Sequence, residues 1–330
     1  MEEGTLMRYA FANVSSAGSQ PFPVIVMEER ALALAHWASR GLNGVHSMRA
    51  LMESWDVNAR QLREIASESA TRELIATVGV PLAHLTIHAP VAPSQVYCTI
   101  GNYRAQLLEA AVDSASHLDA QEVEEHRNAT LKSIEERRRT GEPYICMKGT
   151  SCISGPHDSL RISQGLTSLD WEVEVGVVIG RRLKDVSSIE ALEGIAGYCV
   201  VNDITLRERI FRADMPQMGT DWIQSKSRPG WLPAGPVLMP AWNVEDPSAF
   251  RLHLSLNGES MQEGSATDMI FGIGEQLAYL SSLVGLEPGD LVCTGTPAGI
   301  GTHYSRYLRP GDVIEATVDG LGTQRTKCIP

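Results

Sequence analysis

The sequence predicts an α+β fold, and two adjacent apolar strands with a helix between them carry most of the evidence. Between Leu169 and Gly180, valine or isoleucine recurs at every second position, which is the period of a β-strand. A second apolar strand is predicted over 195–204. Ser187, followed three residues later by Glu190, forms a capping box that opens a short helix between the two strands.

The composition is that of an ordinary globular protein. The 330 residues can bury a sizeable core in one large domain or two unequal ones, and 43% of them are apolar. The net charge of −12 argues against nucleic acid or an anionic membrane as the main partner. It does not exclude an anionic substrate, because a site can be locally positive around a metal ion.

The cysteines and the N-terminus indicate a cytoplasmic protein. The six cysteines include no C-x-x-C pair, and most lie in apolar strand-like runs, so we interpret them as buried reduced thiols. The acidic N-terminus has no apolar segment, and we therefore expect no signal peptide. No apolar run approaches the ~20 residues of a membrane span.

Residues 1–92 are predicted to form a small α/β domain. Strands are expected over 9–13 and 22–27, and helices over 29–40 and 56–78. The proline-rich run 89–93 is the predicted linker to a second domain, residues 93–330.

Three carboxylates stand out in the second domain. Glu172 and Glu174 point to the same side of the first strand, and Asp203 ends the second. At a separation of roughly 6 Å, two carboxylates repel by about 2–3 kcal/mol at an effective dielectric near 20, so a cleft would need positive charge between them. An all-oxygen set suits Mg²⁺, Mn²⁺ or Ca²⁺. A polar strand face with an unrelated aspartate is the alternative.

The runs 170–180 and 197–207 resemble the fumarylacetoacetate hydrolase family. The resemblance extends over about residues 95–325 in ordered motifs. It implies a mainly β, roll-like catalytic domain, a homodimer, and Glu172, Glu174 and Asp203 as ligands of Mg²⁺, or of Mn²⁺ or Ca²⁺.

The helix expected after Gly101 departs from the family pattern. The family has a histidine here, with a glutamate three residues later, and this pair positions and deprotonates the attacking water. The glutamate position is Glu109, but the histidine position is Gln106, which can hydrogen-bond water but cannot take its proton. Either Glu109 acts alone, or the reaction needs no activated water, or Glu109 is an exposed helical carboxylate. Tyr103 is implied as a substrate contact.

The segment 105–142 is long and rich in charge. It is either a solvated surface helix or a lid that folds over the metal when substrate binds. His117 and His126 lie in it, and either is a candidate to replace the missing histidine.

The other family motifs place four more residues in the site. The resemblance implies Lys226 as the group that polarises a substrate oxygen, and Thr296, Arg207 and Lys148 as substrate contacts. Thr296 lies in a glycine-rich loop, 294–301. That loop lacks the Gly-Lys-Ser/Thr of a nucleotide-binding loop, and we do not expect it to bind nucleotide phosphate.

The C-terminal third is predicted to contain a hairpin, a helix and two further strands. The Asn257-Gly258 pair favours a tight hairpin turn. A helix is expected from Thr267 to Val284, and Pro288 and Pro310 each begin a turn that leads into a strand.

The function implied by the resemblance is metal-dependent hydrolysis of a C–C bond in a small 1,3-dicarbonyl, acylpyruvate-like substrate, through an enolate that the metal stabilises. Decarboxylation or keto–enol tautomerisation of a 2-oxo acid is the alternative, favoured by Gln106. A non-catalytic relative that binds a metabolite is the third.

Overall fold

The computed structural model describes residues 9–330, and its N-terminal part contains a five-stranded antiparallel sheet. The strands are β1 (Ala10–Ser15), β2 (Phe22–Met27), β3 (Arg30–Ala33), β4 (Val80–Pro81) and β5 (Thr86–His88), in the order β4-β3-β2-β1-β5. Helices α1 (Met48–Glu53), α2 (Trp55–Ser67) and α3 (Ser69–Val78) lie between β3 and β4 in the chain.

The prediction of a helix over 29–40 is wrong, because the segment begins as a strand. Glu28 and Glu29 have positive φ angles of 48° and 62° and form the two-residue turn between β2 and β3. Pairing with β2 holds residues 30–33 extended and overrides the helical propensity of alanine and leucine. A 3₁₀ helix follows over Leu34–Arg40.

The remaining strands and helices follow in chain order. The strands are β6 (Val96–Ile100), β7 (Tyr144–Lys148), β8 (Ile153–Ser154), β9 (Leu160–Arg161), β10 (Leu169–Asp170), β11 (Val173–Ile179), β12 (Ile195–Asn202), β13 (Thr205–Leu206), β14 (Leu232–Pro233), β15 (Met239–Pro240), β16 (Arg251–Leu256), β17 (Glu259–Ser265), β18 (Leu291–Cys293), β19 (Val313–Val318) and β20 (Gly322–Ile329). The helices are α4 (Arg104–Ser114), α5 (Ala120–Thr140), α6 (Ser188–Glu193), α7 (Trp222–Lys226) and α8 (Ile273–Leu283).

Two larger sheets organise this part of the chain. The central sheet has the order β15-β12-β11-β18-β6-β7, and the second sheet has the order β17-β16-β19-β20-β9. Short pairings join β10 to β13 and β8 to β14. Mixed helix and strand content with extensive sheets confirms the predicted α+β fold class.

Local sequence signals set several element ends. Ser187 and Glu190 form the predicted capping box at α6. Asn257 and Gly258 both have positive φ and connect β16 to β17 as a tight hairpin.

Two predicted helices have different bounds in the structure. The helix expected over 56–78 is divided into α2 and α3 at Glu68, whose ψ of 135° is extended. The helix expected from Thr267 begins only at Ile273, because residues 266–268 form a separate 3₁₀ turn capped by Ser265.

The central sheet separates two hydrophobic cores. Val173, Val175 and Val177 face one core, whereas Val178 faces the other. Phe11, from the N-terminal sheet, belongs to this second core. The N-terminal part and the central sheet are therefore joined by apolar packing, and the domain boundary near residue 92 stays a prediction.

Among the described residues, no helix combines the length and the apolar character needed to traverse a lipid bilayer.

Asn102 is expected to be a main determinant of stability next to α4. Its buried side-chain amide donates to the carbonyls of Phe271 and Thr294 and accepts from the Phe271 N–H. Asn102→Leu leaves the Thr294 carbonyl and the Phe271 N–H unpaired in the core, whereas the Phe271 carbonyl keeps a hydrogen bond from Gln276 Nε2. We expect a loss of about 2–4 kcal/mol in the free energy of unfolding, measured by urea denaturation.

The matched control is Asn128→Leu on the exposed surface of α5, where the amide makes one hydrogen bond to Glu124. This variant should change the free energy of unfolding by roughly 0.5 kcal/mol or less. Equal effects of the two substitutions would contradict the importance of the Asn102 hydrogen bonds.

Candidate active site

Three buried carboxylates meet at one end of the central sheet. Glu174 lies in β11, Glu172 immediately precedes that strand, and Asp203 immediately follows β12. Because Val173 pairs with Asn202, the antiparallel register brings the three side chains together, with one oxygen of each within 4.8 Å of the others. Their exposed fractions are 6%, 1% and 0%. The convergence expected from the sequence is therefore present.

Lys226, at the end of α7, contacts two of these carboxylates. Its Nζ lies 2.8 Å from Glu172 Oε2, 2.5 Å from Asp203 Oδ2 and 2.7 Å from Thr205 Oγ1. Burial would lower the pKa of the Lys226 ammonium, but Asp203 and Glu172 outweigh burial and raise that pKa well above its usual value. Lys226 therefore stays charged and cannot serve as a base.

Lys148 supports Asp203 from the opposite side. Its Nζ donates to Asp203 Oδ1 at 2.6 Å and to the carbonyls of Ile204 and Trp231. Burial alone would raise the pKa of Asp203, but Lys148 and Lys226 hold it at about 2. All three Lys148 donors are thus used within the protein, and this side chain does not line the cavity described below.

Arg207 connects Glu172 to a fourth buried carboxylate, Asp170. The Arg207 Nε donates to Asp170 Oδ2 at 2.7 Å, and its Nη2 lies 2.7 Å from Glu172 Oε1 as an ion pair without a well-directed hydrogen bond. Asp170 also accepts from the N–H of Gly301. Burial raises the pKa of Asp170 above its usual value, although Arg207 opposes that rise.

Glu174 is the member of the group without a cationic partner among the described residues. Its Oε2 accepts a hydrogen bond from the Gly295 N–H at 2.7 Å. Burial, followed by repulsion from Asp203 and Glu172, raises the pKa of Glu174 well above its usual value. An added positive charge would therefore stabilise the ionised form of this carboxylate most.

The donor set fits a hard divalent cation. Glu172, Glu174 and Asp203 offer only oxygen atoms, and each carboxylate oxygen has more than one lone pair. Four carboxylates and three cationic side chains meet here, so the group carries one excess negative charge when all of them are ionised. The carboxylates are Asp170, Glu172, Glu174 and Asp203, and the cations are Lys148, Arg207 and Lys226. A buried acidic triad of this kind indicates a divalent metal, and the identity of the metal stays open.

A cavity of about 350 Å³ opens onto the carboxylates. Its polar end is lined by Gln106, Glu172, Glu174, Arg207, Lys226 and Thr296. The Thr296 hydroxyl is already engaged, since Oγ1 donates to the Val173 carbonyl and accepts from Gln262 Nε2, both at 2.9 Å.

Glu109 lies one helical turn beyond Gln106 and faces a neighbouring groove. Its Oε1 accepts from the Gly299 N–H at 2.8 Å, and its Oε2 is 3.7 Å from His303 Nδ1. His303 Nδ1 is also 3.0 Å from Asp113 Oδ2. Burial raises the pKa of Glu109, whereas the Gly299 N–H and His303 lower it by less.

The other candidates near α4 lie elsewhere. His126 Nε2 lies 3.5 Å from the Ser114 hydroxyl, and His117 is exposed, so His303 is the histidine that the structure places beside Glu109. Tyr103 is fully buried, its hydroxyl has no hydrogen-bond partner, and it does not line the cavity.

Sequence reasoning missed the contacts of Asp170, His303 and Gln262. Asp170 stands in the same run as Glu172, so its position near the carboxylates could have been noticed. His303 lies two residues after the glycine-rich loop, but no spacing signal connects it to Glu109, which is far away in the chain.

Comparison with known proteins identifies the family that the chain resembles. A family model described as fumarylacetoacetate (FAA) hydrolase C-terminal matches residues 95–329. The 2,4-didehydro-3-deoxy-L-rhamnonate hydrolase of Sphingomonas sp. (strain SKA58) is 41% identical over 187 residues, which are 56% of this chain and 64% of that relative. The match thus covers less than two thirds of the relative's length.

Solved structures share the fold. A 2-hydroxyhepta-2,4-diene-1,7-dioate isomerase from Mycobacterium marinum aligns over 77% of this chain and 82% of its own, with a TM-score of 0.59 and 27% identity. A maleylpyruvate hydrolase from Sphingobium sp. SYK-6, solved with manganese(II) and pyruvate, aligns over 97% and 98% with a TM-score of 0.70. Its 20% identity supports the fold alone. Since the family model covers well over half of the sequence, this chain belongs to the fumarylacetoacetate hydrolase family.

Proposed function

We propose that the protein is a metal-dependent hydrolase that cleaves a C–C bond in an acylpyruvate-like 1,3-dicarbonyl. The observation that carries this proposal is the buried group of Glu172, Glu174 and Asp203, with Lys226 in contact with Glu172 and Asp203. Such a group suits a small anion that presents two adjacent oxygens. The hydrolase name of the Sphingomonas relative, at 41% identity, supports the same reaction class.

Glu172, Glu174 and Asp203 are the residues that would hold the divalent cation, and Mg²⁺ is our first choice, with Mn²⁺ or Ca²⁺ as alternatives. When bound, such a cation supplies Lewis acidity toward the carbonyl oxygens of the substrate. It also changes the net charge of the ionised group from one negative to one positive, which favours a monoanionic substrate.

The cationic side chains bind and orient the substrate in this proposal. Lys226 stabilises negative charge on a substrate oxygen through the field of its fixed, buried ammonium and not by a free donor, because its three N–H groups bind Glu172, Asp203 and Thr205. Arg207 lines the same cavity and attracts the substrate carboxylate. Thr296 contributes through its backbone N–H, since its hydroxyl is engaged. Lys148 fixes Asp203 and has no donor left for the substrate.

Water is oriented by Gln106 and deprotonated by Glu109. Water adds to the carbonyl farther from the carboxylate, and the bond from that carbon to the methylene breaks. The electron pair stays on the enolate of the 2-oxo acid until the methylene carbon takes a proton.

Because Glu109 faces the next groove, this assignment requires α4 and α5 to close over the cavity, which is the lid role proposed for 105–142.

Tautomerisation or decarboxylation of a 2-oxo acid is the second candidate. The position of Glu109 outside the cavity favours it, because these reactions need no activated water. The isomerase name of the Mycobacterium marinum structure, at 27% identity, is compatible with it. A non-catalytic relative that binds a metabolite is the third candidate and predicts no turnover.

We also propose a cytoplasmic homodimer without nucleic-acid or membrane partners. The six cysteines are free thiols, which supports a reducing compartment. Light scattering of the purified protein tests the dimer, and a monomeric mass would contradict it.

The reaction class is tested by incubating the Mg²⁺- or Mn²⁺-loaded protein with 2-oxo acids and β-diketones in ¹⁸O-water. We expect two carbon fragments, one of which carries ¹⁸O in a new carboxylate, detected by mass spectrometry. Carbon dioxide would indicate decarboxylation, and a product of unchanged formula would indicate tautomerisation. No turnover of any compound would favour the non-catalytic candidate.

Metal binding is tested with Glu174→Gln, which keeps the side-chain shape but removes the charge. We expect the affinity for Mn²⁺ to fall by at least about tenfold in calorimetric titration, because a carboxylate that would bind the ion directly is lost. The matched control is Glu259→Gln on the exposed surface of β17, which should bind Mn²⁺ normally. Unchanged affinity in Glu174→Gln would contradict the assignment.

Water activation is tested at two positions of α4. Glu109→Gln should lower kcat by about 10²–10⁴-fold if Glu109 is the base, whereas Asp113→Asn, which alters the same groove, should have a smaller effect. Gln106→His should raise hydrolysis if deprotonation of water limits the rate. An unchanged rate in both Glu109→Gln and Gln106→His would count against a water-activating role for α4.

A further inference from the structure

The cavity has a second, outer end whose lining differs from the polar end. The outer end is lined by the apolar parts of Ile100, Leu107, Tyr144, Ile210, Phe211 and Trp222. Phe211 is 70% exposed and Tyr144 is 48% exposed, and both line the same cavity, so they present apolar surface together rather than singly. A surface of this kind next to a buried polar site is typical of a ligand cavity.

The aromatic side chains of this end are held in place by one another. Trp222 Nε1 donates to the Tyr144 hydroxyl at 3.0 Å, and that hydroxyl lies 3.1 Å from Thr220 Oγ1. The rings of Tyr144 and Trp222 are 6.2 Å apart and meet edge to face. Thr220 in turn pairs with Phe211 through a backbone bridge. The polar atoms of these residues are therefore occupied, and their carbon surfaces face the cavity.

The outer end also lacks charge that could receive an anion. Among the described residues that line the cavity, the cationic side chains are Arg207 and Lys226, and both lie at the polar end in contact with Glu172. Arg212 follows Phe211 in the chain but pairs with Asp214 and Asp221, and it does not line this cavity. A carboxylate placed at the outer end would lose hydration without gaining an ion pair.

We infer that the outer end is a specificity subsite for an apolar acyl group, lined chiefly by Phe211, Tyr144 and Trp222. The substrate class is then an acylpyruvate whose acyl chain is alkyl or aryl, rather than one that ends in a second carboxylate. This inference rests on the proposed function for the 2-oxo acid end. It sets the protein apart from relatives whose names describe a dioate or a sugar-acid derivative.

The test compares 2,4-dioxooctanoate with 2,4-dioxooctane-1,8-dioate, which have the same carbon chain and differ in one terminal group. Both release pyruvate on hydrolysis, so one assay with Mg²⁺-loaded protein serves for both. We expect kcat/KM for the monoacid to exceed that for the diacid by at least about tenfold, since the terminal carboxylate of the diacid would lose hydration at an end without a cation, whereas the terminal methyl group gains from burial. A preference for the diacid would overturn the inference.

Phe211→Arg sharpens the test, because it adds a cation at the outer end on an exposed position. This substitution should shift the kcat/KM ratio toward the diacid by at least about tenfold. The matched control is Met218→Arg, which adds the same charge at an equally exposed residue outside the cavity lining and should leave the ratio unchanged. If the kcat/KM ratio of the two compounds is the same in Phe211→Arg as in Met218→Arg, the inference is overturned. It is also overturned if Phe211→Arg changes the mass of the oligomer in solution but not this ratio.

Binding separates this inference from the proposed reaction. The two compounds are also titrated calorimetrically into Mn²⁺-loaded protein. If pyruvate is never released, the proposed hydrolysis fails, but tighter binding of the monoacid still supports the apolar subsite. Equal or tighter binding of the diacid overturns the subsite whether or not hydrolysis occurs.

Discussion

The compensation of buried carboxylates by buried cations is the constraint on which the site depends. An ionised group taken out of water is costly unless charge and hydrogen bonds replace its hydration. Asp203 has two ammonium groups at hydrogen-bond distance, and Glu172 has an ammonium and a guanidinium. Glu174 has a single backbone N–H. The compensation is therefore incomplete at one carboxylate, and a cation added beside Glu174 would gain more than one added elsewhere in the group.

The glycine-rich loop 294–301 donates backbone hydrogen bonds to carboxylates, as glycine-rich loops in other proteins donate them to phosphates. The N–H groups of Gly295, Gly299 and Gly301 donate to Glu174, Glu109 and Asp170, respectively. Gly295 and Gly299 have positive φ, and a Cβ at Gly301 would lie 2.6 Å from Asp170 Oδ1. The loop can approach Asp170 this closely because position 301 carries no side chain. The backbone N–H groups of this loop therefore bind carboxylate side chains of the protein itself.

The sequence predicted the elements whose causes are local. Alternating valines in β11, the capping box at Ser187 and the Asn257-Gly258 turn each act within a few residues, and all are confirmed. Strand β3 was mistaken for a helix because its extended form comes from pairing with β2. His303 was missed for the same reason: its position beside Glu109 results from the tertiary fold, which spacing in the sequence does not reveal. Family resemblance located the carboxylates and the cationic residues Lys148, Arg207 and Lys226, but not which carboxylate each of them contacts.

The two ends of the cavity are built on parts of the fold that differ in rigidity. The carboxylates and their cations are fixed by fully buried strands and by hydrogen bonds from several elements, so a substitution there disturbs charge balance and packing together. The outer end rests on Phe211, which is exposed, and on Trp222, which is half-buried, and a substitution at Phe211 costs little stability. If the outer end binds the acyl group, as we infer, the choice of acyl group can change while the proposed reaction is retained. Opposite the polar end, α4 presents Gln106 to the cavity and Glu109 to the next groove, so the water activation that we propose requires α4 and α5 to move.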